Sequence, residues 1–408
     1  MQTKHEKYLT ELTGLPTATG CEQSVIAWVE NWARRRKTVD LSRDRFGNLL
    51  LKRVGARSRK PIYFTAHMDH PAFVVSEQID PRMLIAEFRG GVDARYFPGS
   101  RVRLHLGHDD ARLGRVVKLQ TPTKSGTDKR AVIELAKPAV AEPGDILTWH
   151  LPAPKVTRGL LRAPACDDLA GVAAALAAFE QLNKVHPKKK ASPGSSRDVR
   201  VLLTRAEEVG FIGAIAACKS GIIPKAARLI ALETSKSFPD SPIGGGPIVR
   251  VGDRTSSFDP DLTYRISQLA ANIQQKDTSF SWQRKLMPGG TCEASAFQAL
   301  GFTATCLCLP LGNYHNMSSE PVASDQAMKR SRKSSRKSST DFGGISGGGP
   351  KGTTAPGLID SEVISLSDYH GLIRLLVAAG RSLDNPTASP PLKDRLDRLF
   401  AQRRSLLG

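Results

Sequence analysis

The chain has 408 residues, 40% of them apolar, which is enough for two or three domains with sizeable cores. No apolar stretch follows a basic start and no run of about eighteen apolar residues occurs, which argues against a secretory signal or a membrane-spanning helix and predicts a soluble, cytoplasmic protein. The formal charge of +20 invites a nucleic-acid reading, but much of it sits in Ser/Pro/Gly-rich sequence, the run Lys188–Lys190 and the stretch Lys329–Lys337, so nucleic-acid binding is not the expected main function.

The first 36 residues read as two helices, KHEKYLTEL and, after a break at Gly14–Gly20, CEQSVIAWVENWARRR. A short strand, FGNLLLKR, follows, and Pro61–Thr65 (PIYFT) is a second. Between His67 and Asp167 the rhythm changes. RMLIAEF, RVRLHL, RVVKL, AVIEL and DILTWHL recur with Gly, Pro or Asp between them, the spacing of a small β-barrel inserted into an α/β domain. From Asp167 the α/β pattern resumes with an Ala-rich helix in DDLAGVAAALAAFEQLN, whose first residues are expected to carry the acidic pair. Pro187–Ser196 reads as a surface loop. Then come the strands Val199–Thr204 and Arg228–Leu232, the Gly-rich loop Gly244–Gly246, a helix near Leu262–Gln274, the segment MPGGTCEASAFQALG and the strand Ala304–Leu309. Residues 320–357 are low-complexity and basic, with disorder expected. Because SLSDYHGLIRLLVAAGRSL beyond them is an amphipathic helix, the tract is an insertion and not a tail. The expected domains are 1–73 and 159–408, together one catalytic domain, with the barrel at 74–158 inserted.

The six cysteines (Cys21, Cys166, Cys218, Cys292, Cys306, Cys308) are scattered through apolar segments, so reduced, packed thiols are expected. Cys306 and Cys308 share one face of their strand, where buried packing outweighs a zinc or redox role.

Metal-competent side chains follow the strands in turn: His67 and Asp69 in AHMD, Asp167 in CDDLAG, Glu207 and Glu208 in RAEEVG, Glu233 in ALET and His315 in NYHN. An open sheet collects such residues beyond the carboxyl ends of its strands, and a site for two divalent ions asks for about two histidines, two terminal carboxylates and one bridging carboxylate. Each residue also has a plainer reading. Adjacent carboxylates such as Glu207 and Glu208 ordinarily cap a helix or face solvent; here, after an apolar strand, Glu208 would be a ligand and Glu207 the general base. Asp69 either fixes the tautomer of His67 or merely makes a turn before Pro71. Asp167 either caps the helix or bridges both ions, with Asp168 shaping the backbone. Glu233 and His315 gain weight only from their place after strands.

These residues resemble the tetrahedral or glutamyl aminopeptidases, cobalt- or zinc-dependent enzymes of the di-zinc exopeptidase clan, some of which carry the name endoglucanase. The likeness runs through ELTGLPTATGCE, RFGNLLLKR, TAHMDHPAFVV, GGVDARYFPGSRV, PGDILTW, ACDDLAG, TRAEEVGFIGA, IGGGPIVR and MPGGTCEASAF. It implies a mixed-sheet, phosphorylase/hydrolase-like α/β zinc-exopeptidase fold with the barrel building dimers or larger shells. It implies His67 and His315 as terminal ligands, Asp167 bridging, Glu208 and Glu233 as carboxylate ligands, and Glu207 as base. The ions would be Zn²⁺ or Co²⁺, with Mn²⁺ also accepted. The substrates would be short peptides cut at the amino end, with no membrane partner.

Three departures stand out. Glu233 replaces the family's usual Asp, as in carboxypeptidases and deacylases of the clan, so a carboxypeptidase or N-acyl amino-acid deacylase is the alternative. GGTCEAS replaces GGTDA, which puts Cys292 and Glu293 at the pocket floor, with Glu293 either meeting a substrate amine or serving the structure. YHN replaces YIHS at the last ligand. A third reading is a basic binding protein on an inactive hydrolase scaffold, and a glycosidase lacks a separate acid and nucleophile.

Overall fold

Four segments are apolar enough to be covered on both faces, and they form the middle of one sheet. The computed structural model describes residues 3–107, 110–120, 129–184, 198–318 and 357–407. The expected loop Pro187–Ser196 and, except for Gly357, the expected disordered insertion 320–357 lie outside the described residues.

The chain begins with α1 (Lys4–Leu12), α2 (Gln23–Arg34), β1 (Val39–Arg43), β2 (Leu49–Arg53) and β3 (Ile62–His67). The next strands are β4 (Ala72–Asp80), β5 (Met83–Arg89), β6 (Arg101–Leu106), β7 (Asp110–Gln120), β8 (Lys129–Leu135) and β9 (Ile146–Trp149). After β10 (Lys155–Thr157) and β11 (Leu160–Ala163) come α3 (Leu169–Asn183), β12 (Val199–Thr204), α4 (Ile212–Ser220), β13 (Arg228–Lys236) and β14 (Ile248–Asp253). The remaining elements are α5 (Pro260–Lys276), β15 (Gln283–Met287), α6 (Glu293–Ala299), β16 (Thr303–Leu311), β17 (Glu362–Ser365), α7 (Leu366–Ser382) and α8 (Leu392–Arg403).

An eight-stranded mixed sheet runs β1-β2-β12-β3-β13-β16-β14-β15. Its centre is parallel, β12 beside β3, β3 beside β13 and β13 beside β16. Successive residues of β3 feed opposite cores. Ile62 and Phe64 join the layer of α1, α2, α3, α5 and α7, whereas Tyr63 joins the layer of α4 and α6. Helix α3 is buried nearly all round, which its alanines permit by letting neighbours approach closely. It begins at Leu169, so the acidic pair lies before the helix and not within its first turn; Asp168 stands at the N-cap but makes no capping hydrogen bond. Among the described residues no helix is long and apolar enough to cross a membrane.

Between β3 and α3 six strands close into a barrel, β4-β5-β8-β7-β6-β9. Five coincide with the segments picked out by their spacing between Gly, Pro and Asp. The sixth, β4, was not among them; its first half, AFVV, is buried throughout and so does not alternate. Phe73, Phe88, Phe97 and Trp149 fill the barrel, with ring centroids 4.8 to 5.8 Å apart. Strands β10, β11 and β17 form a small third sheet that ties the chain on either side of the insertion together.

Candidate metal centre

Parallel pairing aligns the carboxyl ends of the central strands, so that Thr204 lies opposite His67, and β13 delivers Glu233 just beyond its pairing with β3. The turn after β12 carries Glu207 and Glu208. It is fixed from three sides: Asn48 Oδ1 accepts the Arg205 N–H at 3.0 Å, Glu22 Oε1 accepts the Ala206 N–H at 3.1 Å, and Glu22 Oε2 pairs with Arg205 Nε at 2.7 Å. Ala206, with φ of 52°, sits in the left-handed region that this sharp turn requires.

Asp167 stands in the middle of the cluster. Its Oδ1 lies 3.5 Å from Nε2 of His67, and its Oδ2 lies 3.5 Å from Nε2 of His315. His67 Nε2 is also 3.4 Å from Glu233 Oε1, and His315 Nε2 is 3.3 Å from Glu208 Oε1. Two triads therefore share one carboxylate, His67–Asp167–Glu233 and Asp167–Glu208–His315, each with donor atoms within 4.8 Å of one another. Glu207 joins a third grouping with His67 and Glu208.

The opposite nitrogen of each histidine is occupied. Nδ1 of His315 donates to the carbonyl of Gly91, at the barrel's edge, at 2.6 Å. Nδ1 of His67 is 3.2 Å from the Asp69 carbonyl and 3.4 Å from its carboxylate. Both contacts leave Nε2 facing the carboxylates. Asp69 does more than orient His67: its carboxylate accepts the N–H groups of Glu207 at 3.0 Å and Glu208 at 3.1 Å, and the Thr19 hydroxyl at 2.8 Å.

The electrostatics follow from buried carboxylates crowded into one space. Burial pushes the Glu207 carboxyl well up, and Glu233, Glu208 and Asp69 add to it. Burial and Asp167 raise Glu233 likewise. Asp167, despite its burial, is held far below the usual carboxylate range by His315 and His67. Burial opposes the charge on both histidines, yet the carboxylates around them raise them well above the ordinary value, Glu207 foremost for His67 and Glu208 for His315.

A cleft of about 580 Å³ opens beside the cluster, lined by Glu207, Glu208, Glu233 and His315 and continuing past Lys236, Arg250 and Met287. Among the described residues Arg250 carries the largest fully buried side chain; its Nη1 donates to Ser235 Oγ at 3.2 Å and stands 3.9 Å from Glu233 Oε2. Glu293 does not line this cleft: it is buried against the Thr204 and Thr65 hydroxyls, where burial pushes its carboxyl up to about 7. Cys292, Cys306 and Cys308 pack in the core behind Arg250.

Sequence reasoning missed Arg250, Tyr314, His70 and Asn316. Tyr314 stacks on His315 with centroids 3.7 Å apart. His70 Nδ1 donates to the Asp167 carbonyl at 2.6 Å, its Nε2 lies 3.1 Å from Asn316 Oδ1, and Asn316 Nδ2 donates to the Pro164 carbonyl at 2.8 Å. A charge inside the apolar strand IVRVGD and a second histidine in HMDH were the available signals.

A family model for M42 glutamyl aminopeptidase matches residues 47–330. No curated protein matches the sequence. Among solved structures the chain is similar to a TET1 peptidase of Pyrococcus horikoshii that can assemble into a tetrahedron or a large octahedral shell, with 19% identity over 93% of this chain and 100% of that one and a TM-score of 0.67. It is also similar to an aminopeptidase of the archaeon Desulfurococcus kamchatkensis, 21% identical over 93% and 96% of the two chains with a TM-score of 0.66. A TET aminopeptidase from a marine sediment Thaumarchaeota archaeon gives a TM-score of 0.70 at 17% identity over 95% and 99%. At these identities the likeness is one of fold.

Proposed function

The chain belongs to the M42 glutamyl aminopeptidase family and is a peptide hydrolase, and from that premise we propose that it removes N-terminal residues from short peptides at a centre of two divalent ions. The observation that carries this reading is the pair of triads sharing Asp167. The donor set fits such ions. Asp167 Oδ1 and Glu208 Oε1 are buried without a hydrogen-bond partner, both histidines turn Nε2 towards carboxylates, and the crowded anions call for cations. His67, Glu233 and Asp167 would hold one ion, and His315, Glu208 and Asp167 the other; Zn²⁺ or Co²⁺ suits these nitrogen and oxygen donors, and Mn²⁺ is also accommodated. When bound, the ions supply Lewis acidity towards the scissile carbonyl and acidify the attacking water.

Glu207 would take a proton from the attacking water and return it to the leaving amine nitrogen. It lines the cleft beside Glu208, and Asp69 holds its backbone through the N–H bond at 3.0 Å. The choice of the amino end draws on the aminopeptidase family. The second reading, a carboxypeptidase or N-acyl amino-acid deacylase, draws on Glu233 and on Arg250, a buried guanidinium on the cleft wall suited to a substrate carboxylate. Homo-oligomers, dimers or larger shells, are part of the proposal, drawing on the assembling TET1 peptidase.

The test is hydrolysis of free-amine and N-blocked peptides by metal-loaded protein, with Glu207→Gln alongside. Free-amine turnover that falls at least about 100-fold in the variant, with metal content unchanged, is the expected result. Turnover of blocked substrates alone would move the assignment to the second reading. Silence on both would leave a binding protein on an inactive scaffold.

A further inference from the structure

Between two of the ligand-bearing segments lies a carboxylate that no step above uses. Glu362, the first residue of β17, is fully buried. Its Oε2 accepts the backbone N–H groups of Cys166 at 2.6 Å and Asp167 at 3.0 Å, and its Oε1 accepts that of His315 at 2.9 Å. One side chain thus binds the backbones of both Asp167 and His315. The strand that carries it is placed to do so, with Glu362 opposite Ala163 of β11, on the approach to Asp167, and Val363 bridged to Gly312, on the approach to His315.

The other ligands are held differently. His67 and Glu233 stand on central strands of the sheet, and the Glu208 N–H is bound by Asp69. His315 has no ladder to hold it, and its φ of 54° is a conformation that a histidine keeps only where its surroundings impose it. A carboxylate bonded to three N–H groups in a dry interior is a rigid joint, because any movement of one segment leaves buried donors unpaired.

We infer that Glu362 is a positioning residue that sets Asp167 and His315 in register, and that the ion held by Asp167, Glu208 and His315 depends on it more than the ion held by His67, Asp167 and Glu233 does. The inference rests on the two-ion reading above. Substitution by glutamine leaves one acceptor oxygen where the joint needs two and turns an N–H towards a backbone N–H.

The experiment titrates metal-free full-length protein with Co²⁺, comparing wild type, Glu362→Gln and Glu362→Asp by calorimetry and by the visible absorption of the bound ion, and records the melting temperature of each metal-free form. In Glu362→Gln one of the two binding steps should lose about 10- to 100-fold in affinity, with an altered absorption spectrum, while the other changes far less. Glu362→Asp, which keeps the charge but withdraws it by one methylene, should fall between; it carries the comparison if the glutamine variant does not fold. Two unchanged steps, or two steps weakened by the same factor, would overturn the inference even if the melting temperature falls. A wild type that takes up fewer than two ions would overturn the two-ion reading itself, a failure visible without any variant.

Discussion

Asp69 shows how much a single side chain carries here. Against its burial, its carboxyl is held below the ordinary range by His67 and by the N–H groups of Glu207 and Glu208, so it serves as an anion that accepts and never donates. Asparagine at that position has one acceptor oxygen for three donors and turns an NH₂ group towards at least one of them. The Glu207–Glu208 turn would shift, and a displacement of about 1 Å near reacting groups costs on the order of 100-fold in rate. Asp69→Asn should therefore lower kcat by about that factor with KM nearly unchanged, which steady-state kinetics on a free-amine peptide would check. Of these roles, only the contact with His67 was legible from H-x-D spacing. That the same carboxylate caps a turn more than a hundred residues away depends on β3 and β12 lying side by side, which the spacing does not contain.

At the scale of elements, the barrel makes two separate predictions. Phe97 touches Phe73, Phe88 and Trp149, so Phe97→Ala opens a cavity and should cost about 3–5 kcal/mol, read as a lower denaturant midpoint of Trp fluorescence. On the barrel's outer face, burial and then Arg103 push His105 down to about 4. Its ordinary value is about 6.5, so between the two the unfolded chain binds the extra proton and the folded chain does not. Stability should thus be intact above about pH 6.5 and fall by up to about 3 kcal/mol as the pH drops towards 4. In His105→Gln the denaturant midpoint should lose that part of its pH slope; an unchanged slope would show that His105 titrates freely in the folded barrel. The barrel strands that alternate could be read off the sequence, as could the apolar central strands and α7. The polar edge strands β1, β10 and β15, and α8, which buries no side chain, left no such mark, since their pairing or packing is set by neighbours and not by their own pattern.

For the whole molecule, the instructive feature is where the basic insertion departs and returns. The Ser318 N–H donates to the Leu358 carbonyl at 2.9 Å, Met317 is bridged to Ile359, and the Asp360 N–H donates to the Asn316 carbonyl at 2.9 Å. Just beyond stand His315 on one side and Glu362 on the other. The chain leaves and re-enters through a paired stem beside the candidate metal centre, which is why Glu362 was invisible in the sequence: the residue that binds the backbones of both His315 and Asp167 lies past a long low-complexity stretch. Because the stem is held by its own backbone bonds and by Gly357, whose N–H donates to the Arg95 carbonyl at 2.9 Å, it does not need the tract to keep its geometry. Replacing residues 321–354 with a four-residue Gly/Ser turn should preserve peptide hydrolysis and metal stoichiometry. It should also raise the melting temperature slightly, since each halving of a loop eases its closure by about 0.6 kcal/mol. Metal analysis, calorimetry and the free-amine assay on the shortened chain check this together. If metal uptake were lost while the fold melted normally, the centre would require residues of the tract itself, and the stem would be only its attachment.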